Sequence, residues 1–142
     1  KNKLKRWGMW NSLGTEICNN PDDENIRPWF YSWSLLCRYF PAGYNIIATD
    51  TTGVEGLRLT AGANEGDLTI AIVNNSKVTN ELNLAIPKII KKEFKKYEYV
   101  EQGRLMDENG FPVPVETGIS RKKLTKLNIP ANSFVLLTTI DL

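Results

Sequence analysis

Residues 28–50 read PWFYSWSLLCRYFPAGYNIIATD, and the spacing of the apolar side chains changes part-way along them. Four large apolar residues recur at intervals of four, three and four positions: Trp29, Trp33, Leu36 and Phe40. That spacing predicts an α-helix of roughly three to four turns, in which Pro28 suits an early position. Pro41 and Gly43 end the helical pattern, and a period of two, typical of strands, follows from Asn45. The sequence therefore predicts a helix that leads into a β-rich region.

The region after residue 43 alternates apolar and polar side chains in short stretches. Seven strands are predicted, at residues 45–50, 56–60, 68–73, 82–86, 94–100, 124–129 and 133–140. The third of these is apolar on both faces, which favours a central position in a sandwich. We predict a mainly β chain in which an antiparallel β-sandwich of the Ig-like or Greek-key type, residues 44–142, follows a strand-loop-helix segment, residues 1–43.

The composition excludes several classes of function. The chain has no histidine, which excludes Ser-His and Cys-His nucleophile systems and metal sites that need imidazole. Its 18 basic and 16 acidic residues leave a net charge of +2, too small a field to attract nucleic acid or an anionic membrane. No stretch approaches the ~20 apolar residues that span a bilayer, and no apolar region follows the basic residues 1–6, as a signal peptide would require. We therefore expect no metal, no cofactor, no nucleic-acid partner and no membrane partner.

The aromatic residues are concentrated near the start, and all four tryptophans lie within the first 33 residues. Trp7 and Trp10, in a strand predicted over residues 5–12, could stack on a sugar ring or could serve packing alone. Glu16 follows them, but glycoside hydrolysis needs two carboxylates held roughly 5–10 Å apart. Asp22 and Asp23 are better explained as charges at the start of the helix. Trp7 and Trp10 are thus candidate substrate-binding residues, and no catalytic residue is assigned.

Three further features each have a structural and a functional interpretation. Basic residues cluster at 88–96 and 121–126 and could bind an anionic polysaccharide, but interleaved glutamates favour a solvated sheet edge. Residues 107–110, DENG, lack the alternating ligands of a calcium loop and predict a turn. Cys18 and Cys37 could pair, although we favour two free thiols with Cys37 buried on the helix.

Taken in order, these pieces resemble the C-terminal region of retaining glycoside hydrolases with a (β/α)8 barrel. The resemblance rests on the Trp-Asn pair at 10–11, on the helix that ends CRYFPAG at residue 43, and on the stretches 67–75 and 129–137, which read DLTIAIVNN and IPANSFVLL. It implies that residues 1–43 are the last βα unit of a barrel and residues 44–142 the sandwich that follows it. It also implies that the catalytic glutamates lie upstream, on the fourth and seventh barrel strands, and that Trp10 lines a sugar subsite. The parent would then be a bacterial enzyme of carbohydrate metabolism, with secretion and the cell envelope both open as its location.

Three classes of function compete for this pattern. The first is an accessory sandwich that supports a catalytic barrel and is inactive alone; the second is a carbohydrate-binding module; the third is an Ig-like interaction domain without a catalytic role. A binding module should display aromatic residues, yet the sandwich half has no tryptophan and offers Tyr44, Tyr97, Tyr99 and Phe111. An Ig-like domain does not explain the tryptophan-rich helix. We therefore predict the first class, with the barrel of the parent chain as partner, carbohydrate bound through the parent, and self-association through an exposed helix at residues 26–40.

Overall fold

One helix and nine strands make up the part of the chain that the computed structural model describes, residues 28–49, 52–100 and 103–141. The helix is α1 (Pro28–Tyr39). The strands are β1 (Asn45–Ile47), β2 (Leu57–Asn64), β3 (Asp67–Asn74), β4 (Asn80–Leu82), β5 (Phe94–Val100), β6 (Gly103–Arg104), β7 (Glu116–Ile119), β8 (Leu127–Ile129) and β9 (Ser133–Thr138). A 3-10 helix, Lys123–Thr125, precedes β8. Pro28 is the first residue of α1, where its missing amide hydrogen costs nothing.

The strands form two sheets. The larger has seven strands in the order β1-β2-β3-β9-β5-β6, with β7 also paired to β5, and the smaller consists of β4 and β8. Every pairing between the described strands is antiparallel. The predicted antiparallel β-sandwich is therefore confirmed, whereas the domain boundary between residues 43 and 44 stays a prediction.

A two-residue turn joins β2 to β3 and sets the register of the longest hairpin. Glu65 and Gly66 both have positive φ, 47° and 88°, as a type I′ turn requires. Asn64 pairs with Asp67 directly across the turn, and the ladder continues for eight residue pairs to Leu57 and Asn74. Because this turn matches the right-handed twist of the strands, it fixes which side chains of β3 face each side of the sheet.

The strands β3 and β9 lie in the middle of the larger sheet and carry buried side chains on both faces. One face packs against the smaller sheet. Its core comprises Leu68, Ile70, Ile72, Phe94, Val135 and Leu137 from the larger sheet, with Leu82, Leu127 and Ile129 from the smaller. The sequence predicted a central position for residues 68–73, and the burial of β3 on both faces confirms it.

Helix α1 covers the other face of the larger sheet. The side chains of Tyr31, Leu35 and Tyr39 recur every fourth residue and are at most 2% exposed. They pack against a sheet surface formed by Ala71, Tyr97, Phe134 and Leu136. The described chain therefore has three layers, with the larger sheet between the helix and the smaller sheet.

Several strand boundaries differ from the sequence prediction. Of the predicted fourth strand, residues 82–86, only Leu82 lies in a strand, at the end of β4; residues 83–86 keep the alternation of buried and exposed side chains without joining a sheet. The stretch 124–129 begins in the 3-10 helix rather than in a strand, because Lys123–Thr125 turns before β8 starts. The sequence prediction also missed β6 and β7, which are short and lack a clear alternation.

Asn74, at the end of β3, connects two of the stretches on which the family resemblance rests, residues 67–75 and 129–137. It is fully buried, and its Nδ2 lies 2.8–3.1 Å from the carbonyl oxygens of Val78, Ile129 and Pro130. Its Oδ1 accepts hydrogen bonds from the backbone and hydroxyl of Ser76. The amide therefore joins the β3 end to the loops that precede β4 and β9, and its polar atoms are satisfied.

Candidate functional site

The residues that the sequence proposes for sugar binding, Trp7 and Trp10, lie outside the described residues. So do Glu16, Cys18 and the acidic residues at 22–24. Their assignments stay predictions.

The outward side of helix α1 carries a large apolar side chain that is half exposed. Trp33 lies two residues from both Tyr31 and Leu35, about 200° around the helix from each, and so points away from the sheet. Its side chain is 51% exposed, and Trp29, Leu36 and Phe40 are partly buried. Trp33 is thus opposite the tyrosines that dock the helix, whereas Leu36 and Phe40, from the same apolar stripe, pack against the docking cluster. Side chains of this size on the outer side of a surface helix are typical of an interface.

A tyrosine cluster holds the helix to the sheet. The hydroxyls of Tyr39 and Tyr97 share a hydrogen bond, and the Tyr31 hydroxyl donates to the backbone oxygen of Glu98 at 3.0 Å. The rings of Tyr31 and Tyr99 also contact, with centroids 5.3 Å apart. Tyr97, which the sequence offered as an exposed aromatic for sugar binding, is only 3% exposed because α1 covers it. This cluster is structural.

Burial raises the pKa of the Tyr31 hydroxyl to about 12, and burial together with the hydrogen bond to Tyr39 raises the pKa of Tyr97. A tyrosine whose pKa is higher in the folded state stabilises the fold fully below pH 10, and the contribution is lost as pH rises to about 12. We expect the free energy of unfolding to fall through that range in urea titrations. Tyr31→Phe should flatten the fall; an unchanged slope would show that Tyr31 is not the group that titrates.

Three of the five lysines at residues 88–96 form ion pairs with carboxylates. Lys92 lies 2.8 Å from Asp67, and Lys96 lies 2.6 Å from Glu98. Lys95 similarly bonds Asp141 and lowers the pKa of that carboxyl. The strand β5 is also not an edge strand, because it runs between β9 on one side and β6 and β7 on the other. These lysines therefore do not form an unpaired polysaccharide-binding patch.

Several cavities open on the described surface. One of about 610 Å³ is lined by residues between 49 and 59. Another, of about 590 Å³, lies between β1–β2 and residues 81–87 and has a mainly apolar floor that includes Leu59, Ala61 and Ile70. A third, of about 320 Å³, lies beside helix α1 and is lined in part by Cys37. Cys37 is a free, exposed thiol, so the expectation of a buried Cys37 is wrong: it lies on the side of the helix turned from the sheet.

Several acidic side chains of the described residues form ion pairs, and none belongs to a metal-binding group. The described residues contain no group of three or more histidine, cysteine, aspartate or glutamate side chains that could hold a metal ion. Four of their carboxylates form ion pairs with lysines: Asp67, Glu98, Glu116 and Asp141.

Within the same residues, no helix is both long and apolar enough to cross a membrane. The turn predicted at residues 107–110 is present and is closed by Asp107, whose Oδ1 accepts two backbone amides.

Comparison with known proteins supplies a fold but no sequence family. No family model matches the sequence, and the search of curated proteins finds no relative. The solved structures that match include three xylanases of glycoside hydrolase family 30. For the endoxylanase from Clostridium papyrosolvens the TM-score is 0.59 at 12% identity, over 82% of this chain and 28% of the xylanase.

The other two xylanases agree with the first. The subfamily 8 xylanase from Clostridium acetobutylicum has a TM-score of 0.66 at 11% identity, over 84% of this chain and 29% of that one. The catalytic domain of xylanase C from Talaromyces cellulolyticus has a TM-score of 0.54 at 14% identity, over 78% and 24%. This chain shares its fold with part of these xylanases. It spans less than a third of the length of each.

Proposed function

We propose that this chain is the C-terminal accessory β-sandwich of a carbohydrate-degrading glycoside hydrolase, and that it supports a retaining (β/α)8 barrel without being active alone. The observation that carries the proposal is the shared fold with a family 30 xylanase, at a TM-score of 0.66 over 84% of this chain but only 29% of the enzyme. The described carboxylates also favour a supporting role, because those in ion pairs hold lysines rather than facing one another across a cleft.

In this proposal the barrel of the parent chain covers the outward side of helix α1. The half-exposed Trp33 then packs against the barrel, while Tyr31 and Tyr39 hold the helix to the sandwich. Residues 1–43 complete the last βα unit, and Trp7 and Trp10 lie beside the sugar. Catalytic carboxylates at the ends of other barrel strands would act on the substrate.

Hydrolysis of a plant polysaccharide tests the proposal. We expect the natural polypeptide that carries this sequence to hydrolyse β-1,4-xylan with retention at the anomeric carbon, followed by NMR of the first product. The 142-residue chain should release no reducing sugar, because a catalytic set without its carboxylates loses orders of magnitude in rate. Turnover by the 142-residue chain, abolished by Glu16→Gln, would contradict the accessory role and make Glu16 catalytic.

Self-association of the isolated chain is a second expected result. In the 142-residue chain Trp33 is 51% exposed on the outward side of α1, and large exposed apolar surfaces drive association. Sedimentation at micromolar concentration should show dimers or larger species, and Trp33→Ser should shift them towards monomer. Val78→Ser is the matched control, since Val78 is 60% exposed but lies in the loop before β4. A monomeric wild-type chain would contradict this account of the helix.

A further inference from the structure

The flank of helix α1 contains a cavity that the proposed function does not use. It measures about 320 Å³ and lies between the helix and residues 111–112. Its lining includes Phe30, Ser34, Cys37, Arg38, Phe111 and Pro112. Cavities that bind small molecules begin at about this size, so one ring with a short substituent fits.

Two phenyl rings form the apolar part of this cavity. The centroids of Phe30 and Phe111 are 6.1 Å apart and their planes are tilted by 51°. Phe111 directly follows a tight turn, and its side chain is 46% exposed. Asp107 fixes that turn: its Oδ1 accepts the Phe111 amide at 2.9 Å, and its own amide donates to the Phe111 carbonyl at 2.8 Å. These bonds fix the backbone of Phe111 before any ligand arrives, and its ring contacts that of Phe30, which lowers the entropy cost of binding.

A guanidinium group supplies the charge. Arg38 is exposed, lines the cavity, and takes part in none of the ion pairs found among the described residues. Its planar group can bind a carboxylate through two parallel hydrogen bonds. An uncommitted cation beside two phenyl rings favours a ligand that is both flat and anionic.

The remaining lining favours an aromatic ligand over a sugar. The Ser34 hydroxyl donates to the backbone oxygen of Tyr31, and the Cys37 thiol is only a weak hydrogen-bonding group. A sugar ring would bring several hydroxyls into a cavity with few partners for them, and unpaired polar groups oppose binding. We propose that this cavity binds an aromatic carboxylate, with its ring against Phe30 and Phe111 and its carboxylate on Arg38.

The polar part of this site lies away from the surface assigned to the barrel. Ser34 and Arg38 lie about 100° and 140° around the helix from Trp33, towards the turn that carries Phe111, whereas Phe30 and Cys37 lie about 60° and 40° from it. The cavity therefore borders that surface, and its occupancy is measured on the 142-residue chain alone, so the result does not depend on the proposed hydrolase.

Alkylation of Cys37 reports on occupancy directly, because this exposed thiol lines the cavity. With Cys18→Ser in the background, the 142-residue chain carries one thiol. We expect millimolar phenylacetate to slow alkylation by iodoacetamide at least about threefold at saturation, since a bound ring covers the cavity. The neutral 2-phenylethanol should need about ten times the concentration, because it lacks the charge-assisted hydrogen bonds.

Variants and a sugar acid make the test specific. Arg38→Gln and Phe111→Ala should each raise the half-effect concentration of phenylacetate about tenfold. Arg58→Gln, an exposed arginine on β2, is the matched control and should leave it unchanged. Absence of protection at tens of millimolar, or equal protection in the Arg38→Gln variant, would overturn the proposal. Protection by glucuronate at the same concentration as phenylacetate would overturn the aromatic class.

Discussion

Asn74→Ala should lower the free energy of unfolding by about 3–5 kcal/mol, among the largest effects of any single truncation in the sandwich. The wild-type amide donates to buried or partly buried carbonyls from two loops and accepts from Ser76. Alanine leaves those carbonyls without a donor, in a place that water cannot easily reach.

Urea unfolding measures this effect, and the chain offers a matched control one residue away. Asn75 is exposed and its backbone amide, which donates to Gly56, is kept in alanine. Asn75→Ala should change the free energy of unfolding by no more than about 0.5 kcal/mol. Equal effects of the two substitutions would mean that Asn74 does not join these loops in solution.

Leu35→Asp should detach helix α1 and cost about 4 kcal/mol or more, because it places a carboxylate without a partner against the sheet. Leu35 is 1% exposed and packs in the cluster that contains Tyr31, Phe134 and Leu136. We expect loss of the tyrosine near-UV circular dichroism and binding of a hydrophobic dye to the uncovered sheet face.

Cys37→Asp is the control for this helix variant. It introduces the same side chain two residues along α1, on an exposed position, and should preserve the circular dichroism and bind no additional dye. If Leu35→Asp were as stable as Cys37→Asp, the helix would not be docked through the Tyr31–Leu35–Tyr39 side.

The sequence predicts the position of a central strand well, because burial on both faces requires a continuous run of apolar residues that is visible in the sequence. β3 is apolar on both faces and covered on both sides, so its composition predicts its place in the middle of the sheet, whereas β9, its central neighbour, was predicted only as a strand. The start of the helix is also predictable from local sequence, because a proline such as Pro28 is accepted only at the first few positions of a helix. The predicted strands 56–60 and 68–73 leave seven residues between them, whereas the chain turns over Glu65 and Gly66 alone, because the positive φ of Glu65 is not encoded by a glycine.

Features that depend on distant segments escaped prediction. Tyr97 alternates with lysine and glutamate like a residue of a solvated strand, and only the helix packed above it makes it buried. The short strand β7 pairs with β5 although its sequence, ETGI, has no strand periodicity. The cavity beside α1 likewise joins Phe30 to Phe111, 81 positions apart in the sequence, and neither residue alone indicates a site.

The central claim, that a barrel covers the outward side of helix α1, is tested most directly by the reactivity of a thiol introduced by Trp33→Cys. With Cys18→Ser and Cys37→Ser in the background, its alkylation rate is compared between the 142-residue chain and the natural polypeptide that carries this sequence. The account predicts rapid alkylation in the 142-residue chain, under dilute conditions where it does not associate, and a rate at least about tenfold lower in the natural polypeptide, because burial blocks access to the reagent. Equal rates in the two proteins would contradict it.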